Sequence, residues 1–382
     1  MQSTACHYSV LIALMCVSFS GCDYFQGSQT LSDADLADLD DDMPSEPNPE
    51  SKSGLSDVES ETRADHQFAL KLTVGDSFPF SKRIEQKLTQ ADANGDSVYR
   101  TVTEFSLSLE VKEARGDGSK RFDVYYHRVR HQQDISGRVV EYSSDSPQPI
   151  PAEALVYAGL HENGFSFWIG SDNRVIEIVG FADFLQRCLK NVPPQLRQSA
   201  QRQIEGVHTE NDLANFLDEG IGLLPYNKDS HSSLQVGTSW ELKPRQTGGA
   251  VPIQIHMNCA IKELSDTSAE IRLTGTIAGD RTPITIGNSH GAMKVYVNGG
   301  RCAGTCTIDR LTGLPTKSEV SRYLEMSVQL ADGSMVEQRK ETMTSINSYL
   351  SQNRSQRPPP NSAEVQQARH SRETDSSRRF SQ

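Results

Sequence analysis

Alternation of apolar and polar residues dominates the chain between residues 68 and 350. The segment 105–111 (FSLSLEV) has an apolar side chain at every second position, as a half-buried antiparallel strand requires. The same period predicts strands at 68–74, 122–129, 165–169, 175–179, 253–261, 269–277, 293–297, 323–330 and 335–343. Turn dipeptides predict hairpin links at Asn94-Gly95, Asp117-Gly118, Asn163-Gly164, Asn298-Gly299 and Asp332-Gly333. The sheet should therefore be mostly antiparallel.

A helical period replaces this alternation in the middle of the chain. Residues 181–192 place apolar side chains three and four positions apart, and residues 209–224 repeat that spacing after an N-cap-like threonine. We therefore expect a helical insertion at about 180–225 between two β-rich halves, about 66–179 and 234–350. The predicted fold class is α+β, a mostly antiparallel curved sheet with helices segregated into the insertion.

The two β-rich halves open on similar sequences. VGDSF at 74–78 is echoed by VGTSW at 236–240, and the same order of strands and a Lys-Glu pair follows each. A duplicated β-module explains this likeness, with each copy forming half of the curved sheet. The alternative is that unrelated meanders share this order of turns and strands. Two half-sheets wrapped around a helix would leave a concave apolar face where a ligand can bind.

The N-terminus predicts a location outside the cytoplasm. Residues 10–19 (VLIALMCVSF) have the length of a signal-peptide core and are too short to span a bilayer. The following FSGC sequence resembles the bacterial lipobox, which implies that 1–21 is removed and that Cys22 carries the lipid. Asp23 then favours retention at the periplasmic face of the inner membrane. The alternatives are a plain secretory signal or an apolar N-terminus with a chance cysteine, since no Lys or Arg precedes the apolar core.

Charge divides the chain into a tether, a body and a tail. The 382 residues carry a net charge of −12, and residues 22–65 alone carry 13 acidic and two basic residues. Such a segment cannot bury enough apolar surface to fold, so it predicts a disordered acidic tether. Residues 351–382, with six Arg against three acids, predict a disordered basic tail. The body, 66–350, is left near neutral, and the overall acidity argues against nucleic acid as a partner.

Motifs for catalysis and metal binding are weak. Residues 287–291 (GNSHG) match the G-x-S-x-G nucleophile elbow, which would make Ser289 the nucleophile of a serine hydrolase. The elbow needs a helix after the serine, whereas 292–298 has a strand pattern, so a Gly-rich hairpin turn explains the residues better. The histidines show no ligand spacing with carboxylates. We expect no catalytic residue, no metal and no cofactor.

Cysteines beyond Cys22 are four in number: Cys188, Cys259, Cys302 and Cys306. An even number in an oxidising compartment favours disulfides, with three possible pairings. Cys302 and Cys306 would lie ~13 Å apart on one straight strand, which is too far for a bond. A tight turn at the Ala-Gly between them would permit a local bridge. The 302–306 disulfide is therefore a hypothesis beside the other pairings.

Three features together resemble an uncharacterised family of secreted and lipid-anchored bacterial proteins. They are the V-G-x-S-aromatic motif that opens each half, the stretch 164–180 that leads into a helix, and DRLTGLP at 309–315. The resemblance covers about 68–347 and implies no known activity or site residue. The architecture also resembles, more weakly, the half-barrels of lipoprotein carriers, which hold acyl chains around helices.

These patterns lead to two hypotheses for a lipid-anchored, extracytoplasmic protein without catalytic activity. In the first, the concave sheet binds a hydrophobic or lipid ligand, which predicts an elongated apolar cavity under helices 181–192 and 209–224. In the second, the body is a cell-envelope scaffold that docks a protein partner, which predicts a filled core and an exposed aromatic patch. The membrane is a partner in both, through the N-terminal lipid.

Overall fold

The β-rich body contains all of the structure that can be described. A computed structural model describes residues 68, 70–92, 95–171, 173–194, 197, 235–246, 251, 253–288 and 291–348. The predicted signal peptide, tether and tail lie outside the described residues, and so do Cys22 and Asp23. Most of the predicted helical insertion, including 209–224, lies outside them as well.

Thirteen antiparallel strands form one sheet in the described part of the chain. Their bounds are β1 (Ser77–Asp92), β2 (Gly95–Ala114), β3 (Lys120–Ile135), β4 (Arg138–Ser143), β5 (Asn163–Ile169), β6 (Val175–Val179), β7 (Ser239–Gln246), β8 (Gln254–Leu264), β9 (Ser268–Ile277), β10 (Asp280–Asn288), β11 (Gly291–Asp309), β12 (Pro315–Gln329) and β13 (Met335–Ser348). The order across the sheet is β6-β5-β3-β2-β1-β13-β12-β11-β9-β8-β7, while β4 pairs with β3 and β10 with β11. The first and last of these strands therefore meet in the middle of the sheet.

Helices make a small part of the described fold. A 3-10 turn (Ala152–Ala154) runs into α1 (Leu155–Ala158), and α2 (Phe181–Leu189) follows β6. Helix α2 confirms the start of the predicted 181–192 helix and ends three residues early. The α+β label therefore fits loosely, because the sheet supplies nearly all of the described structure.

One face of the sheet is buried. Burial alternates along β2 from Tyr99 to Val111, with every second side chain inside. The strand register aligns this alternation between neighbouring strands. Leu107, for example, is paired with Phe80 of β1, and both side chains lie on the same face of the sheet. We call the face of Tyr99, Leu107 and Phe80 the inner face and the opposite one the outer face.

The sheet curls so that its inner face is on the inside, since residues at both ends of the strand order contact Phe68. The carbonyl oxygen of Phe68 accepts a hydrogen bond of 3.2 Å from the amide of Asn173, in the β5–β6 turn. The ring of Phe68 lies 6.2 Å from that of Trp240, on β7 at the other end of the order. Phe68, Leu70 and Leu72 are all buried, so the segment before β1 packs between the two edges.

Several predicted boundaries are wrong. The described residues of 68–74 do not form a strand, and β1 begins at Ser77. Asn298-Gly299 is no hairpin turn, because Gly299 with its φ of 129° makes a bulge within the continuous strand β11. Asn163 is a buried residue at the start of β5, where its side chain bonds to α2. The turns at Gly118 and Gly333 are confirmed by their positive φ angles.

The two V-G motifs form the same turn. Gly75 donates its backbone N–H to the Val111 carbonyl at 2.8 Å, and Gly237 donates to the Ile261 carbonyl at the same distance. Both glycines have a φ of 91°, which L-residues rarely adopt. The likeness seen in the sequence is therefore a shared turn. It precedes β1 and is hydrogen-bonded to β2 in the first half, and it precedes β7 and is hydrogen-bonded to β8 in the second. The duplication itself stays a prediction.

Replacing either glycine should destabilise the fold through the backbone alone. A Cβ at Gly75 or Gly237 would meet no atom within 4 Å, so only the positive φ opposes Ala. We expect Gly75→Ala and Gly237→Ala each to lower the free energy of unfolding by about 1 kcal/mol, measured by urea denaturation of the full chain. Gly116→Ala, at an equally open position without a positive φ, is the control and should be close to neutral. Equal effects at the three positions would contradict this explanation.

The four cysteines of the body form no disulfide in the described structure, and all four are buried. Cys302 and Cys306 lie on the continuous strand β11, where they pair with Gly275 and Ile271 of β9. The turn at Ala303-Gly304 that a 302–306 bridge requires does not form, because the register runs unbroken through both residues. That hypothesis is wrong, because four residues of extended strand separate the Cα atoms by ~13 Å.

Thiol labelling of the denatured chain tests this directly. Without a reductant, we expect an alkylating reagent to modify all four body cysteines of protein unfolded in guanidinium, since none is bonded. Peptide mass spectrometry measures the labelling at each position. A pair that stays unlabelled until reductant is added would contradict the absence of disulfides.

Candidate functional site

A band of polar side chains crosses the inner face. Gln133, Thr101, Gln86, Thr342 and Arg322 form one row of paired residues across β3, β2, β1, β13 and β12. The row is flanked by further polar residues on the same face. We define the inner polar band as this row together with Thr103, His131, Lys340 and Thr344.

Apolar clusters lie on both sides of the band. One contains Leu88, Tyr99, Val251, Ile255, Ile277, Met293, Val295, Val297, Cys302, Leu324, Met326 and Val328. The other contains Phe68, Leu242, Cys259, Ile261, Ala269, Ile271, Leu273, Cys306 and Ile308. We name them the Leu88 cluster and the Cys259 cluster. The middle of the inner face is thus polar, while its two ends are packed with apolar side chains.

The band is cationic. Lys82, Ile84, Gln86 and Leu88 of β1 each belong to a row of paired, inward-facing residues that extends from β3 to β11. The described residues of these four rows include no Asp or Glu. Their cations are Lys82, Arg322 and Lys340. Lys82 is buried, whereas Arg322 and Lys340 are half-buried. Each of the three interacts with another group of the chain.

A buried amide pair lies beside the band. The Gln338 amide nitrogen donates to the Gln90 side-chain oxygen at 2.9 Å, and both residues are 1% exposed. The side-chain oxygen of Gln338 is buried and has no hydrogen-bond donor in the part of the chain that the structure describes. A buried acceptor without a donor costs free energy, so this oxygen is suited to a donor from water or a ligand.

His131 is the buried titratable group of the band. Its Nδ1 lies 3.0 Å from the Thr103 hydroxyl, and its ring stacks on Tyr157 of α1 at 3.9 Å between centroids. Burial lowers its pKa to about 4, so the imidazole is neutral near pH 7. The band therefore owes its positive charge to lysine and arginine alone.

Two grooves lie on the outer face and meet at Val102. The first, of about 510 Å³, crosses β2, β1, β13, β12 and β11. Its wall is the row of Arg100, Lys87, Glu341, Tyr323 and Arg301. The second, of about 410 Å³, continues over β3 and β4 and is lined by residues that include Arg83, Glu104, Arg130, Gln132, Glu141 and Ser143. Together we call them the outer groove.

Small and apolar side chains make up most of the floor of the outer groove. Val102, Met343, Ser321 and Ala303 belong to one paired row, in which Glu85 of β1 stands between Val102 and Met343. The outer groove is not the cavity that we predicted under helix 181–192. The described part of that helix packs against aromatic side chains of the sheet. Phe184 of α2 lies 4.9 Å from Phe165 and 6.2 Å from Tyr126, measured between ring centroids.

Of the predicted site residues the structure describes Cys302 and Cys306, and neither belongs to the inner polar band or lines the outer groove. Cys22, Asp23 and Ser289 lie outside the described residues. The strands on either side of Ser289 pair with each other, with Asn288 opposite Gly291, so a strand follows where a nucleophile elbow needs a helix. Cys302 and Cys306 face inward as packed thiols, and burial raises the pKa of Cys306 to about 12.

Neither a membrane-spanning helix nor a metal cluster occurs among the described residues. None of the described helices has the length and apolarity to cross a membrane. Within the described ranges, no group of three or more His, Cys, Asp or Glu side chains could hold a metal ion.

The sequence contains a signal for the inner polar band, namely polar residues at inward positions of the strands. A search for apolar alternation alone does not detect it. In YRTVTEF (99–105) the inward positions change from Tyr to Thr, Thr and Phe while the alternation continues. The same change occurs along β1, where Lys82 and Gln86 occupy inward positions. Only the register shows that these separate changes fall in adjacent rows.

The stability of the fold should depend on pH through His131. The folded pKa is depressed below the ordinary value of 6.5, so the unfolded chain binds a proton first as pH falls. Stability from this group is therefore present above about pH 6.5 and is lost towards about pH 4, by roughly 3 kcal/mol. His131→Gln should flatten that slope in urea unfolding. His127→Gln, on the outer face of the same strand, should keep it; equal slopes for both variants would contradict the prediction.

Comparisons with known proteins give a family and distant structural likenesses. A lipovitellin structure on lipid–protein interactions is similar over 73% of this chain and 25% of its own, with 12% identity and a TM-score of 0.39. An outer membrane channel from Pseudomonas putida F1 is similar over 74% of this chain and 98% of its own, with 8% identity and a TM-score of 0.17. The chain thus spans about a quarter of the lipovitellin chain.

The remaining comparisons concern a transporter, the curated proteins and a protein family. The toluene transporter TodX of P. putida is similar over 73% of this chain and 90% of its own, with 8% identity and a TM-score of 0.16. No curated protein matches the sequence. The Family of unknown function (DUF6263) matches residues 117–315, which confirms the resemblance to an uncharacterised family. That match covers more than half of the chain, from the turn before β3 to the start of β12, and the protein therefore belongs to the DUF6263 family.

Proposed function

We propose that this protein is a lipid-anchored, extracytoplasmic binding protein that holds an anionic amphiphile on the inner face of its rolled sheet and catalyses no reaction. The observation that carries the proposal is the cationic inner polar band between two apolar clusters. An amphiphile has the matching division into a charged head and an apolar tail.

The headgroup contacts would come from β12 and β13. Arg322 and Lys340 occupy adjacent inward rows on these neighbouring strands, and both are partly accessible. A guanidinium presents a planar fork that binds carboxylate or phosphate oxygens in pairs, and an ammonium adds a compact charge. Because both cations already interact with other groups of the chain, an anionic head would replace those contacts with charge-assisted hydrogen bonds of its own.

The tail contacts would come from the Leu88 cluster. Leu324 lies directly opposite Lys340 in the register, so apolar surface begins beside the proposed head contacts. Burying hydrocarbon there gains about 0.8 kcal/mol for each CH₂ group. The free side-chain oxygen of Gln338 lies on the same side of the band and could accept a hydrogen bond from a hydroxyl near the head.

The location and the absence of catalysis are part of the proposal. The lipobox-like sequence ending at Cys22 supports attachment to the periplasmic face of a membrane, and the acidic segment 22–65 supports a spacer between lipid and body. The motif around Ser289 lies in a hairpin context, which speaks against a hydrolase. A membrane-attached binding protein would meet amphiphiles at the bilayer surface.

Co-purification of an amphiphile tests the proposal. We expect the full chain with Cys22→Ser, purified from the envelope fraction without detergent, to carry an added mass that organic solvent extracts. Native mass spectrometry measures the loaded fraction. Arg322→Gln combined with Lys340→Gln should reduce that fraction about tenfold, because the head would lose both charged contacts.

The matched control uses the same two strands. Lys317→Gln with Arg339→Gln removes equal charge from exposed outward positions of β12 and β13 and should retain the added mass. Unfolding midpoints of both double variants check that the fold persists. A bare mass for the parent protein, or equal loss in both double variants, would overturn the proposal.

A further inference from the structure

Three of the arginines that line the outer groove form no ion pair within the described part of the chain. Among the described residues Arg100 and Arg130 form no ion pair, although both line the groove. Arg301 has none either, and its guanidinium lies 5.3 Å from the centroid of the Tyr323 ring. These three side chains are exposed on the outer face, on β2, β3 and β11. Their strong donors are available to a ligand.

The carboxylates of the groove are already engaged. Glu85 and Glu104 both bind Arg83, and the Arg83–Glu85 distance is 2.6 Å. Glu341 accepts from Lys87 at 3.3 Å, and Glu141 accepts from Gln132 at 3.2 Å. The outward lining has five cations (Arg83, Lys87, Arg100, Arg130 and Arg301) against four carboxylates (Glu85, Glu104, Glu141 and Glu341), a net charge of +1 that favours an anionic partner.

The dimensions of the groove suit an extended chain. It crosses seven strands from β4 to β11, and neighbouring strands lie ~4.8 Å apart, so its length is ~29 Å. An extended peptide of about nine residues spans that distance. Arg100 and Arg301 stand four strand spacings apart in one row, a separation of ~19 Å, or about six residues of such a peptide.

The floor of the groove favours a peptide over a uniformly charged polymer. Val102, Met343 and Ala303 offer apolar contacts that a polyanionic glycan would not use. The engaged carboxylates would still repel a dense row of negative charges. Acidic side chains that alternate with apolar ones meet both constraints, since one set reaches the arginines and the other rests on the floor.

We propose that the outer groove docks an extended acidic peptide segment of a partner protein, with its carboxylates on Arg100, Arg130 and Arg301 and its apolar side chains on Val102 and Met343. The backbone groups of these central strands are paired within the sheet, so recognition is by side chains and the peptide lies across the strands. This surface is on the opposite face from the proposed amphiphile site, so either proposal can fail without the other.

Binding of a defined probe peptide tests the assignment. The probe is a fluorescein-labelled nonapeptide of alternating Asp and Val, titrated with the full chain and followed by fluorescence anisotropy. The comparison probe replaces each Asp by Lys. We expect saturable binding of the acidic probe alone, which weakens with added salt because the contacts are solvent-exposed charge pairs.

Charge-matched variants locate the contact. Arg100→Gln with Arg301→Gln should weaken acidic-probe binding at least about tenfold, since two guanidinium contacts are lost. Arg272→Gln with Lys294→Gln removes the same charge from exposed positions on β9 and β11 outside the groove and should change the affinity less than about twofold. None of the four residues has an ion pair among the described contacts, so both variants should keep the parent unfolding midpoint.

Three outcomes would overturn the proposal. One is equal affinity of both double variants for the acidic probe. Another is binding of an oligogalacturonate but not of the peptide, which would assign the groove to a glycan. The third is peptide binding that appears only after the acidic residues of 33–42 are changed to Asn, which would assign the groove to the chain's own acidic segment.

Discussion

The pairing of β1 with β13 is the contact on which the rest of the fold depends. Eleven residue pairs, from Phe80 with Ser348 to Gln90 with Gln338, join the first strand to the last. This seam brings the meander of β1–β6 beside that of β7–β13. Because side chains alternate between faces with a period of two, a slip of one residue would turn every inward side chain of one part outward.

Both candidate surfaces follow from that register. Gln86 and Thr342 are paired on the inner face, and the adjacent pair Lys87 and Glu341 stands on the outer face. The inner polar band and the outer groove are therefore two sides of the same few strands. A sheet that is buried on one face can hold polar residues on that face at a cost in folding free energy. The side chains on its exposed face remain available for a second binding surface.

Some of the fold could be predicted from single segments. The strand period at 175–179 reproduced β6 without change, and the V-G motifs marked a turn with the same hydrogen bonds at Gly75 and Gly237. Lengths were harder to predict. Strand β11 extends over Gly291–Asp309, although the sequence predicted a strand only at 293–297. The predicted turn at Asn298-Gly299 is a bulge, and the strand continues through it.

Local patterns along the chain predict the antiparallel strands, the amphipathic start of helix α2 and the separation of an acidic segment from a near-neutral body, since each depends on neighbours in the chain. The candidate surfaces, in contrast, arise only from the pairing of distant strands. Gln90 and Gln338 are 248 residues apart and share a hydrogen bond, and Arg100 and Arg301 reach one row only through three intervening strands. Pairing between distant segments depends on burial and register across the whole sheet, which no local pattern contains.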